Sequence, residues 1–227
     1  MFFVVTGASS GIGKEVALTL AKQGKVIALA RSTEKLAALE QEDSQIIAYP
    51  FDLKDGNFDE LINFIKKHTQ EVHGLVNNAG LLINKLFNDQ TEEDIENQFQ
   101  VNLMGPAKLS KKLFPLLKAG KGHVVNISSM GGYQGASKFP GLSSYSAAKG
   151  AISILTECLA TEWLESEIKV NALCLGAVNT EMLNTAFPGF EAPVSAKMMG
   201  DYIANFVVTG SKFYNGKIIP VALQNPS

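Results

Sequence analysis

The apolar run Phe2-Phe3-Val4-Val5 passes directly into Thr6-Gly7-Ala8-Ser9-Ser10-Gly11-Ile12-Gly13, and a helical pattern follows at once. Strand, glycine-rich turn and helix in that order leave few folds open. Glycines at 7, 11 and 13 remove Cβ atoms where the backbone must bend sharply and approach another group closely. The helix beginning there aims its unsatisfied N–H groups and positive dipole end at whatever lies in front, so an anion, most often a phosphate, is the expected guest. The same residues fit other chemistries. Gly7-Ala8-Ser9-Ser10-Gly11 spells the G-x-S-x-G of a hydrolase elbow, and Gly13-Lys14 matches the end of a phosphate-binding loop.

The rest of the chain decides among them. An elbow at Ser9 needs an oxyanion loop upstream, and too few residues precede it. A P-loop needs four residues between its glycines and then Lys-Ser/Thr, whereas Gly7 to Gly13 encloses about five, and Glu15 follows Lys14. Ser146-Ala147-Ala148-Lys149 reads S-x-x-K, but neither S-D-N nor K-T-G completes such a site.

Apolar β-type runs recur at Phe2–Val5, Val26–Ala30, Ile46–Tyr49, Leu75–Asn77, His123–Ile127, Val170–Leu175 and Ile218–Val221. Helical segments separate them: Lys14–Gln23 ending at Gly24, Thr33–Glu42, Asn57–His68, and a long one opened by the capping-box-like Thr91-Glu92-Glu93-Asp94. Strands that are continuously hydrophobic are covered on both faces, which predicts an α/β fold with a parallel sheet and helices on each side. Ligands in such sheets bind beyond the carboxyl ends of the strands.

A chain of 227 residues, 46% hydrophobic, suits one domain spanning 1–227. Net charge is −2 without long runs of one sign, which argues against nucleic acid and against a polybasic membrane anchor. No apolar stretch approaches the roughly 20 residues of a membrane span, and no leader pattern precedes the first strand. Cys158 and Cys174 lack CxxC or Cys/His companions, so no disulfide framework or metal site is indicated, and a reducing, cytoplasmic setting is expected. His68, His73 and His123 fall in no ligand or triad spacing.

Beyond the first turn, chemistry concentrates in Asn77-Asn78-Ala79-Gly80, Asn102, Ser128-Ser129 and Tyr145-Ser146-Ala147-Ala148-Lys149. Tyr145 and Lys149 stand one helical turn apart, close enough for the ammonium to favour the phenolate and lower the tyrosine pKa toward the working pH. Ser129 could hydrogen-bond a substrate oxygen. Asn102 could hold a water or fix the local backbone.

These motifs, in this order, resemble the short-chain dehydrogenase/reductase family from residue 2 to about residue 221. The resemblance implies a single-domain Rossmann-type doubly wound fold and an NAD(P)-dependent enzyme interconverting a small-molecule carbonyl and alcohol. It assigns Gly7, Ser9, Ser10, Gly11, Ile12 and Gly13 to the cofactor turn, Asp52 and Leu53 to the adenine, and Asn78, Ala79 and Gly80 to cofactor support. Asn102, Ser129, Tyr145 and Lys149 match the catalytic tetrad, with Tyr145 as general acid/base, and Tyr145 and Lys149 also touch the cofactor. Gly176, Val178 and Thr180 fall at the nicotinamide end. A homodimer or homotetramer is implied, with small residues Ala147, Ala148 and Ala151 suited to close packing. A non-catalytic NAD(P)-binding sensor of the same fold is the alternative, and the complete tetrad argues against it.

Three departures stand out. The loop between Ser129 and Tyr145 is longer than usual around Ala136–Phe139, Leu175-Gly176 replaces a Pro-Gly pair, and the end reads Val221-Ala222-Leu223 rather than a valine followed by an acidic residue and two glycines. At the end of the second strand, where a carboxylate would accept a ribose 2′-OH, stands Arg31, the only arginine of the chain. A 2′-phosphate prefers arginine, so NADP(H) is favoured and NAD(H) is the lesser possibility. Ser10 occupies a position where many NADP-preferring relatives carry a second basic residue. The segment from Glu181 to Lys197, with Met182, Leu183, Phe187, Pro188 and Phe190, is expected to cap an apolar pocket.

Overall fold

The computed structural model describes residues 1–223; the last four residues of the expected domain 1–227 lie outside the described residues. In chain order the elements are β1 (Phe2–Thr6), α1 (Gly11–Ala21), β2 (Lys25–Ala30), α2 (Thr33–Glu42), β3 (Ile46–Pro50), α3 (Phe58–His68), β4 (Gly74–Asn77), α4 (Glu92–Phe99), α5 (Gly105–Ala119), β5 (His123–Ser129), α6 (Ser143–Glu162), β6 (Lys169–Leu175), β7 (Val178–Asn179), α7 (Glu181–Ala186), β8 (Val194–Ser195), α8 (Ala196–Thr209) and β9 (Ile218–Val221). Seven strands form one parallel sheet in the order β3-β2-β1-β4-β5-β6-β9, and β7 pairs β8 in a small second sheet. The strand order reverses at β1, which pairs with β2 on one side and β4 on the other, so the crevice for a ligand opens between β1 and β4.

Alternation along each strand feeds two apolar layers. Phe3 and Val5 of β1 pack with Val16, Leu20, Leu36, Ile203 and Phe206, whereas Val4 faces Leu61, Ile65, Leu109, Leu113 and Leu117. Helices α1, α2 and α8 therefore cover one face, and α3, α5 and α6 the other.

Local chemistry sets the helix starts. Ser32 caps α2 by accepting from the Lys35 N–H, and Asn57 caps α3 by accepting from Asp59 and Glu60. The Thr91/Asp94 capping box forms in full. Helix α1 begins on Gly11, three residues ahead of the sequence expectation, and Ser10 at its N-cap makes no side-chain hydrogen bond to it. Between α4 and α5 the chain makes a π-helical turn, Gln100–Met104, which sequence periodicity does not reveal.

At the opposite end of the sheet His123, 2% exposed, holds a neutral ring. Its Nδ1–H donates to Val207 O (3.0 Å) and its Nε2 accepts from Asn171 Nδ2 (2.9 Å), while burial pulls its pKa down to about 4. This histidine is structural, as its lack of any ligand spacing implies.

Candidate active site

The turn after β1 is built for close approach. Gly7 has φ +66°, and a Cβ there would lie 2.8 Å from the Ala79 Cα; at Gly13 a Cβ would run into Gly7 O and the Asn78 amide. Asn78 Nδ2 donates to Thr6 O (3.0 Å) and Gly7 O (3.3 Å), and Thr6 Oγ1 accepts from the backbone N–H groups of Asn78 and Ala79 (3.0 Å each). The segment after β4 thus braces the turn from behind. Ser9 is half-buried and Ser10 exposed, and Gly11 and Ile12 open α1 partly exposed, so the first helical amides face outward without a side-chain cap. Residues present here fit a dinucleotide phosphate: glycines where a side chain would block it, and a helix N-terminus behind.

Thr180 stands opposite. Its hydroxyl caps α7 by accepting from Leu183 N–H (3.3 Å), and its methyl group lies 3.5 Å from where a Gly11 Cβ would be. Gly176 donates to Val221 O (2.9 Å), and Val178 is buried in β7. Arg31 follows β2 directly, is exposed, and has no carboxylate partner among the described residues. Asp52 lies past the end of β3, where its Oδ1 accepts from Lys54 N–H (2.8 Å), and Leu53 beside it is buried. Arg31 and Asp52 sit on the β2–β3 side, apart from the groups at β4 and β5.

Beside Gly80 three of these groups converge. A Cβ on Gly80 would lie 3.2 Å from Asn102 Oδ1, 3.6 Å from Lys149 Nζ and 3.7 Å from Met182 Cε. The π-helical turn presents Asn102, whose amide accepts from Leu81 N–H (3.1 Å) and donates to Leu81 O (2.7 Å). Of the two sequence readings for Asn102, its side chain takes the backbone brace.

Lys149, 3% exposed, is tied to β5 at both ends. Its Nζ donates to Ile127 O (2.8 Å), and its carbonyl accepts from Ser128 Oγ (2.7 Å). Ser153 Oγ lies 3.0 Å from Ser128 Oγ and 3.0 Å from Lys149 O, and contacts Cys174 Sγ at 4.0 Å. Adjacent serines have therefore separated: Ser128 points into this buried cluster, while Ser129 faces Tyr145, whose titration it influences as a hydrogen-bond partner. Ser129 Oγ also accepts from Gly131 N–H (3.1 Å).

The tyrosine differs from the sequence expectation. Burial pushes Tyr145 up to about 12, with the Ser129 hydroxyl working the other way, and Lys149 Nζ lies 5.8 Å from the ring centroid. Desolvation outweighs the distant ammonium. Burial also brings Lys149 down to about 8, partly opposed by Cys174.

The longer loop ahead of α6 shelters a cavity of about 430 Å³ lined by residues that include Lys138, Phe139, Ser143, Ser146 and Ala147. Neither Tyr145, Ser129 nor Lys149 lines it, because Ser143, Ser146 and Ala147 lie on another face of α6. Among the described residues no group of three or more His, Cys, Asp or Glu side chains could hold a metal ion. Ser153 escaped sequence reading, since nothing in its spacing indicates that it meets Ser128 and Lys149.

A parallel sheet with its reversal at a glycine cradle defines a Rossmann-type nucleotide-binding protein. The chain matches the model of the short chain dehydrogenase family over residues 2–189 and belongs to this family of oxidoreductases. It is 35% identical over 189 residues to a fatty acyl-CoA reductase of Acinetobacter baylyi, covering 79% of this chain but only 63% of that protein, less than two thirds of its length. An L-xylulose reductase of Caenorhabditis elegans is 38% identical over 187 residues, 79% of this chain and 72% of that one. A 3-ketoacyl-(acyl-carrier-protein) reductase from Brucella melitensis superposes with a TM-score of 0.89 at 24% identity, over 97% of this chain and 96% of that one, a likeness of fold.

Proposed function

We propose that this protein is an NADP(H)-dependent oxidoreductase interconverting a small-molecule carbonyl and an alcohol, with NAD(H) the weaker cofactor. Lys149 carries the reading. A buried ammonium without a carboxylate partner among the described residues is expensive to hold, and its place one turn beyond a half-buried tyrosine is the arrangement of a proton-transfer site. A non-catalytic NAD(P)-binding sensor would have no use for it.

In the reducing direction Tyr145 gives its phenolic proton to the carbonyl oxygen, Ser129 donates a hydrogen bond to the same oxygen, and the Lys149 ammonium steadies the phenolate as it forms. Asn102 keeps the backbone at Leu81 in place beside them. The bound nicotinamide dinucleotide supplies the hydride. Gly7, Ser9, Ser10, Gly11, Ile12 and Gly13 hold its phosphates, Asp52 and Leu53 the adenine, Arg31 the 2′-phosphate, and Asn78, Ala79 and Gly80 the wall behind. Gly176, Val178 and Thr180 meet the nicotinamide, and Lys149 and Tyr145 the adjoining ribose. Aldehydes, ketones and secondary alcohols assayed with both cofactors at the nicotinamide absorbance test the activity; no turnover of any would overturn it.

Arg31→Asp should lower the NADPH-to-NADH ratio of kcat/KM by about a hundredfold, the worth of one or two charge-assisted bonds to phosphate plus the repulsion introduced. An unchanged ratio removes Arg31 from phosphate binding.

The stripe of exposed Ala147, Ile154 and Cys158 with half-buried Ala151 on α6 supports a homodimer or homotetramer. Ala148 does not belong to it: the residue is fully buried against the protein's own core, because it shares the inward face with Lys149 and Ile152. Sedimentation at micromolar concentration should give a dimer or larger, and a monomer throughout would sink the assignment. Free cysteines fit a cytoplasmic setting, and among the described residues no helix is long and apolar enough to cross a membrane.

A further inference from the structure

Asn84 ties three loops into one rim. Its Nδ2 donates to Ala186 O at the end of α7 (2.9 Å), and its Oδ1 occupies the place that a Cβ on Gly141 would need, just ahead of α6. Next to it, Lys85 N–H donates to Gly141 O (3.1 Å), and Gln90 Nε2 donates to Ser143 Oγ (3.2 Å). The loop after β4, the loop before α6 and the cap at α7 are thereby one assembly.

Large apolar side chains stand exposed on this assembly instead of packing inward: Leu86 and Phe87 (62%) after β4, Met182 (41%) on α7 and Phe190 beyond it. Met182 connects the rim to the reacting groups, since its Cε shares the space around Gly80 with Asn102 Oδ1 and Lys149 Nζ. Of the charges on these loops, Lys85 pairs with Asp94 (2.7 Å) and Glu181 with Lys35 (3.4 Å), whereas Asp89 and Glu191 stand exposed with no cationic partner among the described residues. An apolar rim continuous with a reaction centre suits a hydrocarbon chain, and the unanswered carboxylates of Asp89 and Glu191 beside it oppose a polyanion.

The geometry points to substrate selection by an apolar tail: Leu86, Phe87, Met182 and Phe190 receive the hydrocarbon chain of an aldehyde or ketone whose carbonyl lies at Tyr145. This inference rests on the carbonyl-reducing reading of the site. The continuity through Met182 makes the occupant the substrate's own tail.

The test is a series of unbranched aldehydes from about four to ten carbons, with primary amides of the same lengths as unreactive probes measured by calorimetry. For the wild-type protein kcat/KM should rise, and the amide Kd should fall, by about threefold for each added methylene. In the Phe87→Ser/Phe190→Ser double variant, which alters only exposed positions, the ten-carbon to four-carbon ratio should drop at least about tenfold, some two methylenes' worth. Amide binding independent of length, or aldehyde turnover independent of length, overturns the inference. Binding to neutral lipid vesicles with no length dependence among the amides overturns it too. Length-dependent amide binding without turnover of any aldehyde upholds the apolar rim and refutes the oxidoreductase reading instead.

Discussion

Tyr145→Phe is expected to lower turnover by about a thousandfold while leaving cofactor affinity almost unchanged. The substitution removes one hydroxyl and keeps the ring, so α6 loses no packing and Lys149 keeps its bond to Ile127 O. What disappears is the proton given to the carbonyl oxygen. Because burial holds Tyr145 at about 12, the phenol is protonated throughout the neutral range, which suits donation during reduction. Alcohol oxidation requires the opposite form and should speed up with rising pH. Single-turnover rates at the nicotinamide absorbance, set beside cofactor titrations, read both quantities. A variant within tenfold of the wild type would remove Tyr145 from proton transfer.

Lys149→Met should have two large effects of opposite sign: turnover falls by at least about a hundredfold, and the cofactor-free protein becomes more stable by roughly 2 to 3 kcal/mol. The folded pKa of Lys149 is about 8, below the ordinary 10.5, so its charged form is disfavoured by folding. Below pH 8 that penalty is fully present. As pH rises from 8 toward 10.5 the unfolded chain keeps its proton while the folded protein has lost it, and wild-type stability increases. Methionine fills similar space without the charge, so the variant lacks this contribution and starts from the higher level. Urea unfolding at pH 7 and pH 10 measures the difference. A destabilised Lys149→Met protein would mean that the Ile127 hydrogen bond outweighs desolvation. In the wild type, reduction should decline above about pH 8 as the ammonium that steadies the phenolate is lost.

The main sheet was legible because its strands are continuous apolar runs: Val26–Ala30 lies within Lys25–Ala30, Leu75–Asn77 within Gly74–Asn77, and Ile218–Val221 coincides with β9. Each of these runs carries its own evidence locally. The brief β7 and β8 do not, since two residues give no period and their pairing joins Val178 to Val194 across the cap. The candidate site divides in the same way. Tyr145 and Lys149 announce their proximity by sharing a helix face, and the glycines of the turn by their spacing. The separation of Ser128 from Ser129 follows from strand alternation once β5 is known to extend through both. Tyr145's raised pKa could not be read, because spacing along a helix reports which charge is near and says nothing of how much water has been excluded. The roles of Asn84 and Met182 depend on contacts between loops far apart in sequence.

The π-helical turn at Gln100–Met104 joins two helices with different obligations. Gln98 upstream and Asn102 within the turn must look toward the loop after β4; downstream, Leu109, Leu113 and Leu117 must look into the sheet. An α-helix advances by about 100° per residue, so deleting a single residue from this turn would swing that leucine stripe through about a quarter of a revolution relative to Asn102. The wide turn acts as a phase shifter, and its length is set jointly by the reaction centre and by the hydrophobic core.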